Sequence, residues 1–252
     1  MIINPYSITF ILYVDPEELY IPVLSVLLSS SISDSMFPLV KQGGTVIAII
    51  DYRAGNLTSV KLALEHLGAK CSITDNPRVI SSAERVIFPG VGAAADAMRH
   101  LQELGLLDAI KYVSGAGTPF LGICLGTQVI FQYSEEDGGV DCIGLVPGKV
   151  KRFVTDDPSC KIPQMGWNAV KIRREHPLLL GIENESEFYF VHSYYPSPSC
   201  SDHIIGETEY AGTVFASVIG KDNIFATQFH PERSGRIGLK ILDNFRKWDG
   251  KC

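Results

Sequence analysis

Pro119-Phe120-Leu121-Gly122-Ile123-Cys124-Leu125-Gly126-Thr127-Gln128 is the stretch that decides the fold. Residues 119–123 form a short apolar run, the pattern of a strand buried on both faces. Residues 125–133 then read as a helix, with no linker between the two patterns. A strand that feeds straight into a helix is half of a βαβ unit, so the strand belongs to a parallel sheet covered by helices.

Upstream, the same alternation recurs. Residues 46–50 are apolar and β-branched, and 51–55 form a turn. A helical pattern starts at Asn56, with Leu57, Val60, Leu64 and Leu67 on one face and Gly68 as the stop. Strands are expected at 71–74 and 85–88, the latter ending in Pro89-Gly90-Val91-Gly92, followed by one helix over 93–107. Downstream the rhythm changes. Strands follow one another at 150–154, 169–172, 187–193, 204–209, 215–219 and 224–229, with a last helix at 235–248. The expected fold is α/β: a mostly parallel central sheet flanked by helices, with a more antiparallel second half, in one domain over 45–252. Residues 1–44, broken by Pro5, Pro16, Pro22 and Pro38 and free of Lys and Arg before Lys41, read as a poorly ordered extension. Met36 offers an alternative start within it.

Composition narrows the function classes. The chain has 252 residues, 46% hydrophobic, and a net charge of -6. It lacks the clustered basic residues that a nucleic-acid surface needs. No apolar run approaches the roughly 20 residues of a membrane span. The six cysteines form no C-x-x-C pair, and the six histidines show no metal-ligand spacing, so neither a metal nor a cofactor is expected. The reading is a cytoplasmic enzyme that uses its own side chains.

Gly122-Ile123-Cys124-Leu125-Gly126 is the cysteine form of the G-x-S-x-G elbow. The turn holds a nucleophile clear of the sheet, and flanking glycines let neighbouring backbone approach. The N-terminus of the following helix favours a thiolate. The base comes from His230-Pro231-Glu232, at the end of strand 224–229. Residues two apart on extended backbone project to the same side, which sets Glu232 beside His230 to fix its tautomer. Pro89-Gly90-Val91-Gly92 supplies a glycine-rich turn whose N–H groups can face an oxyanion, as does the N–H of Leu125, the residue after the nucleophile. Gly90-x-Gly92-x-x-Ala95 also fits a dinucleotide fingerprint. It follows the third strand, however, and the next strand ends in no acid for a ribose.

Together these motifs resemble the triad-type (class I) glutamine amidotransferases, and among them the glutaminase subunits of imidazole glycerol phosphate synthase. Asp51-Tyr-Arg-Ala-Gly-Asn56, Ser134-Glu-Glu136, Pro163-Gln-Met-Gly-Trp-Asn168, Tyr189-Phe-Val-His-Ser-Tyr194 and Gln228-Phe-His-Pro-Glu-Arg-Ser234 extend the match over about 46–248. Thr127, Gln164 and Arg233 depart from the usual Met, His and Lys. The resemblance implies hydrolysis of glutamine by Cys124, His230 and Glu232. Val91, Gly92 and Leu125 would form the oxyanion site, and Gln128, Glu136, Ser193 and Tyr194 would hold the amino-acid end. It also implies a heterodimer, because ammonia would pass to a (β/α)8 cyclase subunit making imidazole glycerol phosphate and an aminoimidazole carboxamide ribonucleotide. Such a barrel needs about 250 residues of its own. Asn56, Trp167, Tyr189 and Arg233 are the expected contacts with that partner, in segments that also include Gln164. The alternatives are a glutaminase serving another synthase, a regulatory subunit without activity, and a cysteine peptidase.

Overall fold

The computed structural model describes residues 46–54, 56–158 and 160–252. The extension read at 1–44 lies outside the described residues. In chain order the elements are β1 (Val46–Ile50), α1 (Leu57–His66), β2 (Lys70–Thr74), α2 (Pro77–Ser82), β3 (Arg85–Gly90), α3 (Ala94–Glu103), α4 (Leu107–Gly115), β4 (Phe120–Cys124) and α5 (Leu125–Val129). The second half holds β5 (Tyr133–Ser134), β6 (Val140–Asp141), β7 (Gly148–Arg152), β8 (Gln164–Ile172), β9 (Ser186–His192), β10 (Tyr194–Pro198), β11 (Ile204–Tyr210), β12 (Thr213–Lys221), β13 (Ile224–Thr227) and α6 (Gly235–Phe245).

Nine strands form the main sheet in the order β2-β1-β3-β4-β13-β12-β11-β8-β9. The first five are parallel and the rest antiparallel, as the change of rhythm in the sequence predicts. Of the parallel strands, β1, β3, β4 and β13 are buried on both faces, while β2 is the half-buried edge. Ile47, Ile49, Leu121, Ile123 and Phe225 pack under α1 and α6. Ile50, Phe88, Phe120, Ile224 and Ala226 face the other way, into a second core with α2, α3, α4 and α5. A side-chain period of two therefore splits continuous apolar runs between two cores. A second sheet has the order β10-β7-β5-β6.

Two helices differ from expectation. The helix read as 93–107 is α3 and α4, parted at Gly105, whose φ is 65°. There the N–H of Leu106 bonds the Leu101 carbonyl and that of Gly105 the Gln102 carbonyl, the two bonds of a Schellman stop. The helix read as 125–133 is only α5. Its chain turns away because the Ile130 and Phe131 carbonyls accept N–H groups from Gly144, Leu145 and Val146 instead of continuing the helical ladder.

Candidate active site

Register places the candidate groups together. Gly90, the last residue of β3, pairs with Cys124, the last of β4. On the other side Ile123 pairs with Thr227, so the residues after β13 emerge beside the cysteine. The carboxyl ends of three adjacent parallel strands thus meet at one point, the position where open α/β sheets bind ligands.

Cys124 has φ 53° and ψ −109°, strained for a residue with a Cβ. The turn exists because its neighbours are glycine. A Cβ on Gly126 would lie 1.8 Å from the Phe88 carbonyl oxygen, and one on Gly122 3.0 Å from the Ala226 Cβ. A Cβ on Gly90 would lie 1.7 Å from the hydroxyl of Tyr52. Tyr52 is fully buried beneath Gly90, and its hydroxyl has no partner. Burial, and then the charge of Cys124, push its phenol far up, so it stays neutral.

His230 and Glu232 come from the end of β13 and the short turn Pro231–Arg233. His230 Nδ1 lies 2.8 Å from Glu232 Oε1, with the side chains 3% and 1% exposed. A carboxylate accepts, so Nδ1 carries the proton and Nε2 is the free nitrogen. Nε2 is buried with no hydrogen-bond partner. Burial opposes charge on this ring, but the Cys124 sulfur and the Glu232 carboxylate outweigh it and raise its pKa well above the ordinary imidazole range. The histidine backbone is pinned as well. Its N–H bonds the Tyr189 carbonyl at 3.0 Å, and its carbonyl accepts from Ser234 Oγ at 2.7 Å. Phe229, just before it, stacks on Phe188 with ring centroids 4.1 Å apart. Such buried rings contribute roughly 1.5–3 kcal/mol each, and they fix where the chain leaves the sheet.

A cavity of about 280 Å³ opens over Cys124. Its lining includes Val91, Gly92, Leu125, Gln128, Glu136, Ser193 and Tyr194, all of the expected oxyanion and glutamine-binding residues. The volume sits near the low end of the roughly 300–1,000 Å³ of ligand pockets, room for an amino acid. Glu136 Oε2 accepts the Ala94 N–H at 2.7 Å. Burial raises the Glu136 pKa against that bond. Gln128 spends both amide hydrogens, on the Tyr194 carbonyl at 3.0 Å and on Gln228 Oε1 at 3.1 Å, so only its oxygen is left for a ligand. A larger cavity, about 760 Å³, lies at the opposite ends of β4 and β13 and holds none of these residues.

The four expected partner contacts sit elsewhere. Trp167 is 55% exposed and faces Tyr189 across the β8–β9 pairing at a centroid distance of 6.3 Å, so the tryptophan is not core packing. Arg233 is exposed, and its guanidinium bonds Asn56 Oδ1 at 3.2 Å. Asn56 also makes a contact that the sequence hid. Its Nδ2 donates to Glu232 Oε1 at 3.0 Å, which fastens the first loop to the orienting carboxylate. Gln164, in the same segment as Trp167, turns inward: it is 3% exposed and bonds the buried His192. His192 Nδ1 must donate to the Tyr194 carbonyl, 2.7 Å away, and burial holds this ring neutral, with a pKa lowered to about 4. Nε2 is then an acceptor, and the Gln164 amide satisfies it by turning its NH2 to the ring, since the two ends of an amide exchange by a half-turn.

This fold and cleft define an α/β protein with a cysteine at a strand–helix elbow and an ion-paired histidine beside it. Residues 48–248 match the family description "Glutamine amidotransferase class-I", and the chain belongs to that family. Within it the chain is 51% identical over 199 residues to imidazole glycerol phosphate synthase subunit HisH of Moorella thermoacetica, covering 79% of this chain and 93% of the relative. It is 48% identical over 206 residues to the same subunit of Nitrosococcus oceani, covering 81% and 98%. Among solved structures, PurLQS from Thermotoga maritima superposes with a TM-score of 0.64 at 17% identity, covering 81% of this chain and 98% of that one. The glutaminase domain of Trypanosoma brucei CTPS gives 0.56 at 15%, covering 82% and 97%. These two likenesses concern the fold.

Proposed function

We propose that the chain is the glutaminase subunit of an imidazole glycerol phosphate synthase in the cytoplasm, and that it releases ammonia from glutamine for a cyclase subunit. The observation that carries the reading is the convergence of Cys124, the His230–Glu232 pair and the glutamine-sized cavity at the ends of β3, β4 and β13. The curated relatives support the pathway. Among the described residues no helix is long and apolar enough to cross a membrane.

The chemistry follows from the groups present. The Cys124 thiolate attacks the side-chain amide carbon of glutamine. The carbonyl electrons move onto oxygen, where the N–H groups of the Val91–Gly92 turn and of Leu125 meet the charge. Collapse breaks the C–N bond, and His230 Nε2–H gives its proton to the departing nitrogen, which leaves as ammonia. A thioester remains on Cys124. His230, now neutral, takes a proton from water, the hydroxide attacks, and glutamate leaves as the thiolate re-forms. Glu232 holds Nδ1–H throughout. The Gln128 oxygen and the Glu136 carboxylate accept from the substrate ammonium. Trp167, Tyr189, Asn56 and Arg233 form the partner face.

The test is glutamate release by the chain alone and with an imidazole glycerol phosphate synthase cyclase subunit and its ribonucleotide ligand. Strong stimulation in wild type, with a loss of at least about 10³-fold in Cys124→Ala, is expected. Release that ignores the cyclase would overturn the pathway, and normal release by Cys124→Ala would overturn the nucleophile.

A further inference from the structure

Gln228 is completely buried, and the reaction steps above make no use of it. It follows β13 directly, and in that register it is the residue opposite Cys124. Its Nε2 lies 3.8 Å from Cys124 Sγ, and its Oε1 accepts from Gln128 Nε2 at 3.1 Å. An amide can be turned over, so which end faces the sulfur has to be argued from its surroundings.

The surroundings decide it from a fixed point. The Tyr194 carbonyl can only accept. Gln128, 3.0 Å from that oxygen, must therefore present its NH2 there. The same NH2 faces Gln228, so Gln228 must turn its oxygen to Gln128. That leaves the Gln228 NH2 directed at the sulfur. Turning over either amide would set oxygen against oxygen or NH2 against NH2 between two buried side chains. The Gln228 backbone is held too, since its N–H bonds the Ser217 carbonyl at 2.9 Å. A buried donor with one permitted orientation thus points at the nucleophile, on the opposite flank from Gly90. Sγ has further polar neighbours: the Val191 carbonyl at 3.9 Å accepts from a thiol and has nothing to offer a thiolate, while the His230 ring and the Tyr52 phenol both feel the charge of the sulfur.

We propose that Gln228 is a positioning residue for glutamine hydrolysis: its amide N–H, oriented through Gln128 by the Tyr194 carbonyl, holds the Cys124 sulfur in place and favours its anionic form over the thiol. A hydrogen bond to the charged form of a group favours that form, and a donor set before reaction needs no reorganisation during it. The proposal rests on Cys124 being the nucleophile. Its readout is therefore the ionisation of the sulfur, which needs no glutamine.

The experiment is the pH profile of iodoacetamide alkylation at Cys124 in the full chain, followed by mass spectrometry of the peptide containing that residue. Wild type, Gln228→Met and Gln228→Glu are compared, with thermal unfolding of each. Gln228→Met removes the donor. Gln228→Glu keeps the shape and the oxygen facing Gln128 and sets a carboxylate against the sulfur. The expected result is a profile moved to higher pH by about one unit in Gln228→Met and further in Gln228→Glu, so that alkylation at neutral pH slows about tenfold or more. The kcat of glutamate release should fall about as far, with KM changed less than about threefold. Profiles that coincide with wild type in folded variants would overturn the proposal, whatever happens to thermal stability. If Gln228→Met does not fold, the isosteric Gln228→Glu decides. A shifted profile in a chain that never releases glutamate would keep this role and remove the assigned activity.

Discussion

The two halves of the main sheet divide the work. β2, β1, β3, β4 and β13 run parallel, and the ends of the last three deliver the Gly90–Gly92 turn, the cysteine and the histidine pair to one corner. β12, β11, β8 and β9 run antiparallel. The last pair of them close the cavity through Val191 and His192 and carry Trp167 and Met165 outward, 55% and 66% exposed. Histidines mark the contrast. His230, at the end of the parallel half, is buried beside charge and its pKa rises. His176 and His192 are buried in the antiparallel segment without such partners, and desolvation lowers both to about 4. Burial by itself therefore does not make a histidine a base; what it is buried against does.

The largest effect should come from the parallel corner. Glu232→Ala removes the acceptor of His230 Nδ1–H and of the Asn56 amide, so kcat for glutamate release should drop by about 10³–10⁴-fold. A loss under tenfold would mean that Glu232 does not set the tautomer.

Acid should find the antiparallel half next. The folded-state pKa values of His176 and His192 lie below the ordinary 6.5. Above that value both rings are neutral, folded or unfolded. As pH falls below it, the unfolded chain takes up protons that the fold refuses, and stability declines by about 1.4 kcal/mol per pH unit for each ring. The decline ends as pH passes about 4, where the folded rings protonate as well. Urea midpoints between pH 7.5 and 4.5 test this; His176→Gln should lessen the slope, and a flat curve would contradict it.

The smallest effect on the free chain should come from Trp167→Ala. It empties no core, so unfolding free energy should change by no more than about 0.5 kcal/mol, while stimulation of glutamate release by the cyclase subunit falls at least tenfold. A marked loss of stability with stimulation intact would make Trp167 a packing residue after all.

The parallel half was the easier to read in the sequence, because strands buried on both faces are unbroken apolar runs and Gly68 ends α1 with the same Schellman bonds that later part α3 from α4. Gly105 was the signal missed there. β10 escaped notice for a different reason. Pro196 and Pro198 argue against a strand, and the chain tolerates them because β10 is the edge of its sheet. α2 is short, although Asn76 as cap and Pro77 at its first position announce it. Among site residues, the elbow and His230-Pro231-Glu232 are local patterns and so were visible. The Asn56–Glu232 bond joins residues 176 positions apart, and Gln228 reaches Cys124 across 104. Tyr52 under Gly90 is likewise a product of the register between β1, β3 and β4. No periodicity encodes such contacts; only the folded sheet brings them together.

The central claim is that Cys124 carries the glutamyl group. The most direct measurement is acid-quenched turnover of the chain with glutamine and the cyclase subunit, followed by peptide mass spectrometry of all six cysteines. A glutamyl thioester on the Cys124 peptide alone, gone after a chase in buffer without glutamine, is the predicted result. Glutamate accumulating with no adduct on Cys124, or with the adduct on another cysteine, would contradict the account.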